Sequence, residues 1–185
     1  MSQAPQDVVD LATACIATVN KTVGIELDFT PETLPILDHY AKTVLDSPED
    51  EIVGLAAPIC GAYFGEVVRR SFNGRWHAPP AGDNPDVYGE WRVEFEHVFL
   101  YFNPIGVALD VILEGDGPIE SHLAVRPDDR KHLQGALKSL GDVRESDYYS
   151  FAMRHEVLEQ ALAGLGNQGS FGSADYASHI KAQLN

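Results

Sequence analysis

A chain of 185 residues with 44% hydrophobic content is long enough to bury one core and short for two, so a single α+β domain over 1–185 is expected. Thirteen Lys and Arg stand against 28 Asp and Glu, and the formal charge of −15 repels phosphate backbones and anionic membranes, which sets nucleic acid and membrane surfaces aside as partners. The same field suits a basic protein partner, although acidity also serves plain solubility.

Met1-Ser2-Gln3-Ala4-Pro5 carries no basic residue and leads into no signal-type apolar run, and no apolar stretch reaches spanning length, so a cytoplasmic protein is expected. Val8, Leu11, Ala12, Cys15, Ile16 and Val19 recur at helical spacing and predict an amphipathic helix closing before Gly24. Cys15 and Cys60 fall on apolar sides of predicted helices and read as reduced core residues. Thr30-Pro31 and Thr33 both offer starts for the stripe Leu34, Leu37, Ala41, Val44, Leu45, and Pro35 favours the later one, because proline is tolerated in a first turn. Ser47-Pro48-Glu49-Asp50 breaks that helix and opens the next.

From Ile52 to Gly65 there is no charged residue, and a central buried helix is expected over Ile52 to Val68. Ile52, Leu55, Ala56, Ile59, Tyr63 and Val67 form a face of mostly large side chains, and Gly54, Ala57, Gly61 and Gly65 line the opposite one. A helix apolar all round is a buried helix, and its small side lets another backbone approach closely. Pro58 should kink this helix or mark its true start.

Arg69 to Trp76 leaves the helix, and Ala78 to Pro85 is a turn-rich segment, the best candidate for a mobile surface loop. Trp91, Val93 and Phe95 alternate with Arg92, Glu94 and Glu96, the signature of a half-buried strand, and Phe99-Leu100-Tyr101-Phe102 reads as its hairpin partner. Asn103-Pro104 opens a helix over Ile105 to Leu113 that Gly115-Asp116-Gly117-Pro118 ends. Asp128 and Asp129 favour the start of a helix carrying Leu133, Ala136, Leu137 and Leu140, closed by Gly141. Ser146 is placed to cap a further helix running to about Leu165. Gly164 to Ser173 reads as a flexible connector to a short tail helix with Tyr176, Ile180 and Leu184, docked on its own domain or on a second copy.

His155-Glu156-Val157-Leu158-Glu159 resembles half of a zinc-protease signature, without the second histidine. His155 also falls on the stripe of Phe151, Leu158, Leu162 and Leu165, so a core histidine bonded to Glu159 is the favoured reading, and neither metal nor other cofactor is expected. No serine occupies a nucleophile elbow, and the glycine-spaced run at Gly61 and Gly65 lies inside a helix, which defeats a dinucleotide cradle. The constellation that stands out is Glu66, with Arg69 and Arg70 at i+3 and i+4, beside Trp76 and followed by Arg92 on the strand. Glu66 lies between Leu55 and Ile59 on the large apolar face, where an ionised carboxylate needs Arg69, Arg70 or Arg92 as partner. An internal salt bridge is the first reading, and a ligand pocket of Tyr63, Glu66, Arg70, Trp76 and Arg92 the second.

Gly61-Ala62-Tyr63-Phe64-Gly65-Glu66, then Gly74-Arg75-Trp76, a hairpin, and Phe102-Asn103-Pro104 resembles a group of uncharacterised bacterial domains over roughly the middle third of the chain. The resemblance implies a helix, hairpin, helix core and brings no activity with it. The functional expectation is a non-catalytic binding or regulatory protein, by analogy one that neutralises a basic partner as small acidic immunity proteins do. The alternatives are an enzyme with Glu66 as acid or base and a metal-dependent hydrolase at His155 and Glu159.

Overall fold

The structure is a computed structural model describing residues 3–44, 50–80, 82, 84–115, 117–119 and 121–183. Helix α1, Gln6–Val23, ends where expected, on Gly24 in the left-handed region with its N–H on the Asn20 carbonyl, and it buries Val8, Ala12, Cys15 and Val19. A 3₁₀ turn over Pro31–Thr33 feeds α2, Leu34–His39, so both predicted starts are used in succession. A π-helical turn, Tyr40–Val44, follows; the expected break at Ser47-Pro48-Glu49 and residue Leu45 lie outside the described residues.

Helix α3, Asp50–Phe72, holds Pro58 inside it and not at its start. The expectation of burial all round needs correction at the first turns, where Ile52 is 45% and Leu55 75% exposed, while Cys60 to Arg69 is buried throughout. Composition tells what a helix is able to bury, whereas its neighbours decide what it does bury. Two of the three glycines on the small side are contact points. A Cβ on Gly61 would lie 2.7 Å from the Cα of Ile105 and 2.7 Å from the Pro104 carbonyl oxygen, and one on Gly65 would run into the Trp76 ring. Gly54, in the exposed part, faces open space.

Four strands, β1 Gly74–His77, β2 Arg92–Phe95, β3 Leu100–Phe102 and β4 Ala124–Val125, form an antiparallel sheet in that order. The central hairpin is the predicted one; β1 and β4 are additions, too short for alternation to be visible in the sequence. Trp76 pairs with Val93 and Val93 with Phe102, and these side chains lie on the face that meets α3, where Phe64 and Phe102 stack edge to face at 6.0 Å. Arg75 pairs with Glu94, and Glu94 with Tyr101, on the outer face. In the segment before β2, Pro85–Glu90 forms a 3₁₀ helix whose start Asn84 caps; Ala81 and Asp83 of the predicted loop lie outside the described residues.

Helix α4, Pro104–Ile112, begins as the sequence predicts, with Asn103 Oδ1 accepting from the N–H groups of Ile105 at 2.8 Å and Gly106 at 3.0 Å, and is buried along its length. Helix α5, Arg130–Leu137, continues through a 3₁₀ turn to Gly141. The single helix expected from Ser146 to Leu165 is two, α6 Glu145–Tyr148 and α7 Phe151–Leu165. Ser150 caps α7, and Asp38 of α2 accepts from the N–H groups of Phe151 at 2.6 Å and Ala152 at 3.2 Å, a long-range cap that local sequence does not announce.

Residues 166–172 are coil, strapped across the β2–β3 turn: Gln168 N–H donates to the His97 carbonyl and Phe171 N–H to that of Glu96, each at 2.8 Å. Helix α8, Ser173–Gln183, docks on its own domain through the fully buried Tyr176; Leu184 lies outside the described residues. Among the described residues one helix, Glu51–Phe72, is long and apolar enough to cross a membrane, and most of it is buried inside the fold as a core helix is.

Candidate functional site

Glu66 is 2% exposed and has both carboxylate oxygens engaged. Arg69 Nε donates to Oε1 at 2.6 Å and its Nη2 to Oε2 at 3.0 Å, Arg70 Nε donates to Oε2 at 3.2 Å, and the Trp76 indole N–H donates to Oε1 at 2.9 Å. Burial by itself raises this acid's pKa; the hydrogen bonds from Arg69 and Trp76 and the charges of Arg69 and Arg70 outweigh it, and the pKa falls below the ordinary value. Tyr63 points elsewhere: its hydroxyl accepts from the Phe29 N–H at 2.9 Å and shares a hydrogen with Thr33 Oγ1 at 2.7 Å, while Arg70 lies 3.8 Å over the Phe29 ring. Tyr63, Glu66, Arg70 and Trp76 are thus brought close through direct bonds and the shared Phe29, and Arg92 is not among them.

Arg92 belongs to a second cluster, on the outer sheet face. Its Nε donates at 2.9 Å to Glu94 Oε1, while Arg75 Nε and Nη2 both reach Oε2 at 3.2 Å, and Glu94 is fully buried. Sequence alternation put Glu94 on the polar side, correctly, but the strap and α8 cover it: Arg75 Nη2 also donates to the Phe171 carbonyl at 3.3 Å, and the Tyr176 ring meets Tyr101 edge to face at 5.8 Å. His77 on the same face is pushed below the ordinary histidine pKa by burial and by the charge of Arg92.

Arg92 also lines a groove of about 920 Å³. Its floor is the sheet, at Arg92, Tyr101 and Ala124, and α5 contributes Arg130, Leu133 and Gln134 while α8 contributes Ile180 and Gln183. His122, Trp91, Glu90, Phe102 and Asn103 add polar and aromatic groups to the lining. Two arginines and one glutamate line the groove, a positive balance on a chain whose net charge is −15. A further cavity of about 310 Å³ is lined by Asp110, Ser121, Tyr148, Tyr149 and Arg154. There Arg154 Nη2 donates to Asp110 at 2.9 Å, its Nη1 to the Tyr148 hydroxyl at 2.7 Å, and Ser121 Oγ donates to Asp110 as well.

Sequence reasoning missed Glu94, Arg130, His122 and the Asp110–Arg154 pair. Two of these carried a signal: Asp110 is the one charge in the otherwise apolar stretch Pro104 to Leu113, and Arg154 falls on the stripe between Phe151 and Leu158. His155 is a core histidine as expected, but its partner is Ser71 Oγ, 3.3 Å from Nε2, in place of Glu159, and its ring packs 4.9 Å from that of Phe72. The imidazole turns towards Ser71 of α3, whereas Glu159 is exposed to solvent. Burial lowers its pKa. Among the described residues no three His, Cys, Asp or Glu side chains come together in a way that would hold a metal ion.

Searched against protein-family models, curated proteins and solved structures, the chain matches none of them. The resemblance carried by Gly61 to Glu66, Gly74-Arg75-Trp76, the hairpin and Phe102-Asn103-Pro104 therefore rests on those residues alone.

Proposed function

We propose that this protein is a non-catalytic binding protein whose ligand is acidic and lies in the groove on the outer face of the sheet. The observation that carries the reading is Arg92, held in place by the buried Glu94 and lining a groove that also presents Arg130 and His122. A cation anchored on a buried carboxylate loses little freedom on binding an anion, so the site is preorganised. The groove is large enough for a small molecule and combines an apolar lining with a few convergent polar groups, the usual make-up of a ligand site.

The other readings have less support. A basic protein partner rests on net charge alone, whereas at the groove the gathered charge is positive. Acid–base chemistry at Glu66 is disfavoured by the engagement of both its oxygens with Arg69, Arg70 and Trp76. The two buried thiols, Cys15 and Cys60, suit a reducing cytoplasm, and we place the protein there on this reading.

Calorimetry on the full chain reads occupancy directly, since Trp91 at the groove is fully buried with its indole N–H on the Pro79 carbonyl. Titration with a panel of small carboxylates, amines and neutral alcohols should give saturable changes with the carboxylates, weakened at least tenfold by Arg130→Gln, which alters an exposed residue. Saturation by amines, or none with any acid, would overturn the reading.

A further inference from the structure

A second cavity adjoins the groove. Phe102, His122, Leu123 and Leu133 line both the groove and this cavity of about 160 Å³, which is bounded by α4, α5 and α7. The walls of this inner cavity are mostly aliphatic, with Val107, Leu137, Val157 and Leu158 among them. A dry cavity of about 150 Å³ lined by such side chains accepts a guest the size of benzene. Where the inner cavity meets the polar one beyond it, Ser121, Tyr148 and Arg154 line both. Arg154, 6% exposed, is already committed there, donating to Asp110 at 2.9 Å and to Tyr148 at 2.7 Å.

Charge and shape thus change from one adjoining cavity to the next. Arg92, held by Glu94, and the exposed Arg130 stand at the groove, apolar walls follow, and Arg154 is paired with Asp110 at the inner end. We infer that the ligand is an amphipathic monoanion, with its acid group at Arg92 and Arg130 and a ring or chain of about six carbons seated in the inner cavity. A second acid group at the far end would leave water to face the carboxylate of Asp110, so dianions of the same length are rejected. This inference rests on the groove reading and adds the ligand class to it.

The test is calorimetry on the full chain with unbranched monocarboxylates of two to ten carbons, 3-phenylpropanoate, adipate and hexanol. Affinity should rise about fourfold per methylene, as burial of about 0.8 kcal/mol each implies, and level off once about six carbons are inside. Hexanol and adipate should each bind at least tenfold more weakly than hexanoate. Leu137→Phe, which fills the inner cavity from a half-buried position, should flatten the series, with its fold checked by circular dichroism and melting. Binding that depends on Arg130 but does not change with chain length in the wild-type protein would overturn the inner seat and leave the groove reading standing. If no carboxylate binds, or binding ignores Arg130→Gln, the groove reading falls and this inference with it.

Discussion

The indole N–H of Trp76 donates to Oε1 of Glu66 at 2.9 Å while the same ring covers Gly65, so strand β1 is fastened to helix α3 by one residue acting through both its N–H and its ring carbons. The absence of a side chain at Gly65 and the presence of a carboxylate at Glu66 are two halves of one arrangement. A Cβ at the first would push away the donor that the second requires.

Replacing Glu66 by Gln keeps the shape and removes the charge, leaving Arg69 without its counter-ion at a buried site. The expected cost is about 3–5 kcal/mol, the range for breaking a buried pair, measured by urea unfolding at neutral pH. The pH dependence follows from the lowered pKa of Glu66. Its stabilising contribution is complete above the unfolded value near 4.5 and is lost as pH falls from there through the folded pKa, because the unfolded chain takes up the proton first. The difference between wild type and Glu66→Gln should therefore shrink on acidification below 4.5. Equal stability of the two proteins at pH 7 would show that the carboxylate is poorly compensated, and would return Glu66 to the list of ligand-binding groups.

Gly61→Leu tests the close approach of α3 and α4. With Ile105 Cα and the Pro104 carbonyl both 2.7 Å from where a Cβ would stand, backbone and not a flexible side chain has to move. Overpacking of this kind costs about 1–3 kcal/mol, and more where backbone resists. Gly54→Ala, in open space on the same helix, should instead stabilise by up to about 1 kcal/mol. An unchanged melting midpoint in Gly61→Leu would mean that the two helices separate freely.

How much of this was legible in the sequence differs from element to element for physical reasons. Asn103-Pro104 and Gly24 carry their conformations in their own chemistry, and the helix boundaries they predict are found. Strand β1 has only four residues, Gly-Arg-Trp-His, and exists because β2 pairs with it, so local pattern could not reveal it. The start of α7 is fixed by Ser150 and also by Asp38, more than a hundred residues earlier. Glu66 was found because a charge on an apolar face demands a partner, and the same rule applied to Asp110 and Arg154 leads to their pair. The groove was not legible, since its lining comes from β2, β3, β4, α5 and α8, and only folding brings those together.

Tyr176→Phe removes the hydroxyl that ties α8 to the β2–β3 turn. This hydroxyl lies 2.5 Å from the Phe95 carbonyl, 3.0 Å from that of Val98 and 3.3 Å from that of Leu100, and burial pushes its pKa up to about 12. The loss leaves buried carbonyls short of a donor at about 1–3 kcal/mol. Since α8 and the strap cover the outer face locally, amide hydrogen exchange should speed up first in Gln168, Phe171 and residues 173–183, with α3 unaffected. Uniform acceleration over the whole chain would mean that α8 unfolds only with the core.

Glu94 separates stability from binding on the outer sheet face. It is fully buried between Arg75, whose side chain is 28% exposed, and Arg92, at 11%, so Glu94→Gln should cost about 3–5 kcal/mol by leaving two guanidinium groups to find water from partly covered positions. It should also weaken carboxylate binding in the groove, because Arg92 loses the partner that fixes its Nε. The paired change Glu94→Leu with Arg92→Leu removes charge on both sides, and apolar replacement of a buried pair is often neutral or better for the fold. The double variant is therefore expected to recover most of the stability lost in Glu94→Gln and none of the binding. Recovery of both would show that Arg130 and His122 hold the ligand without Arg92. Failure to recover stability would show instead that Arg75, left alone at the Phe171 carbonyl, needs its carboxylate, a result that Arg75→Leu in the same background would repair.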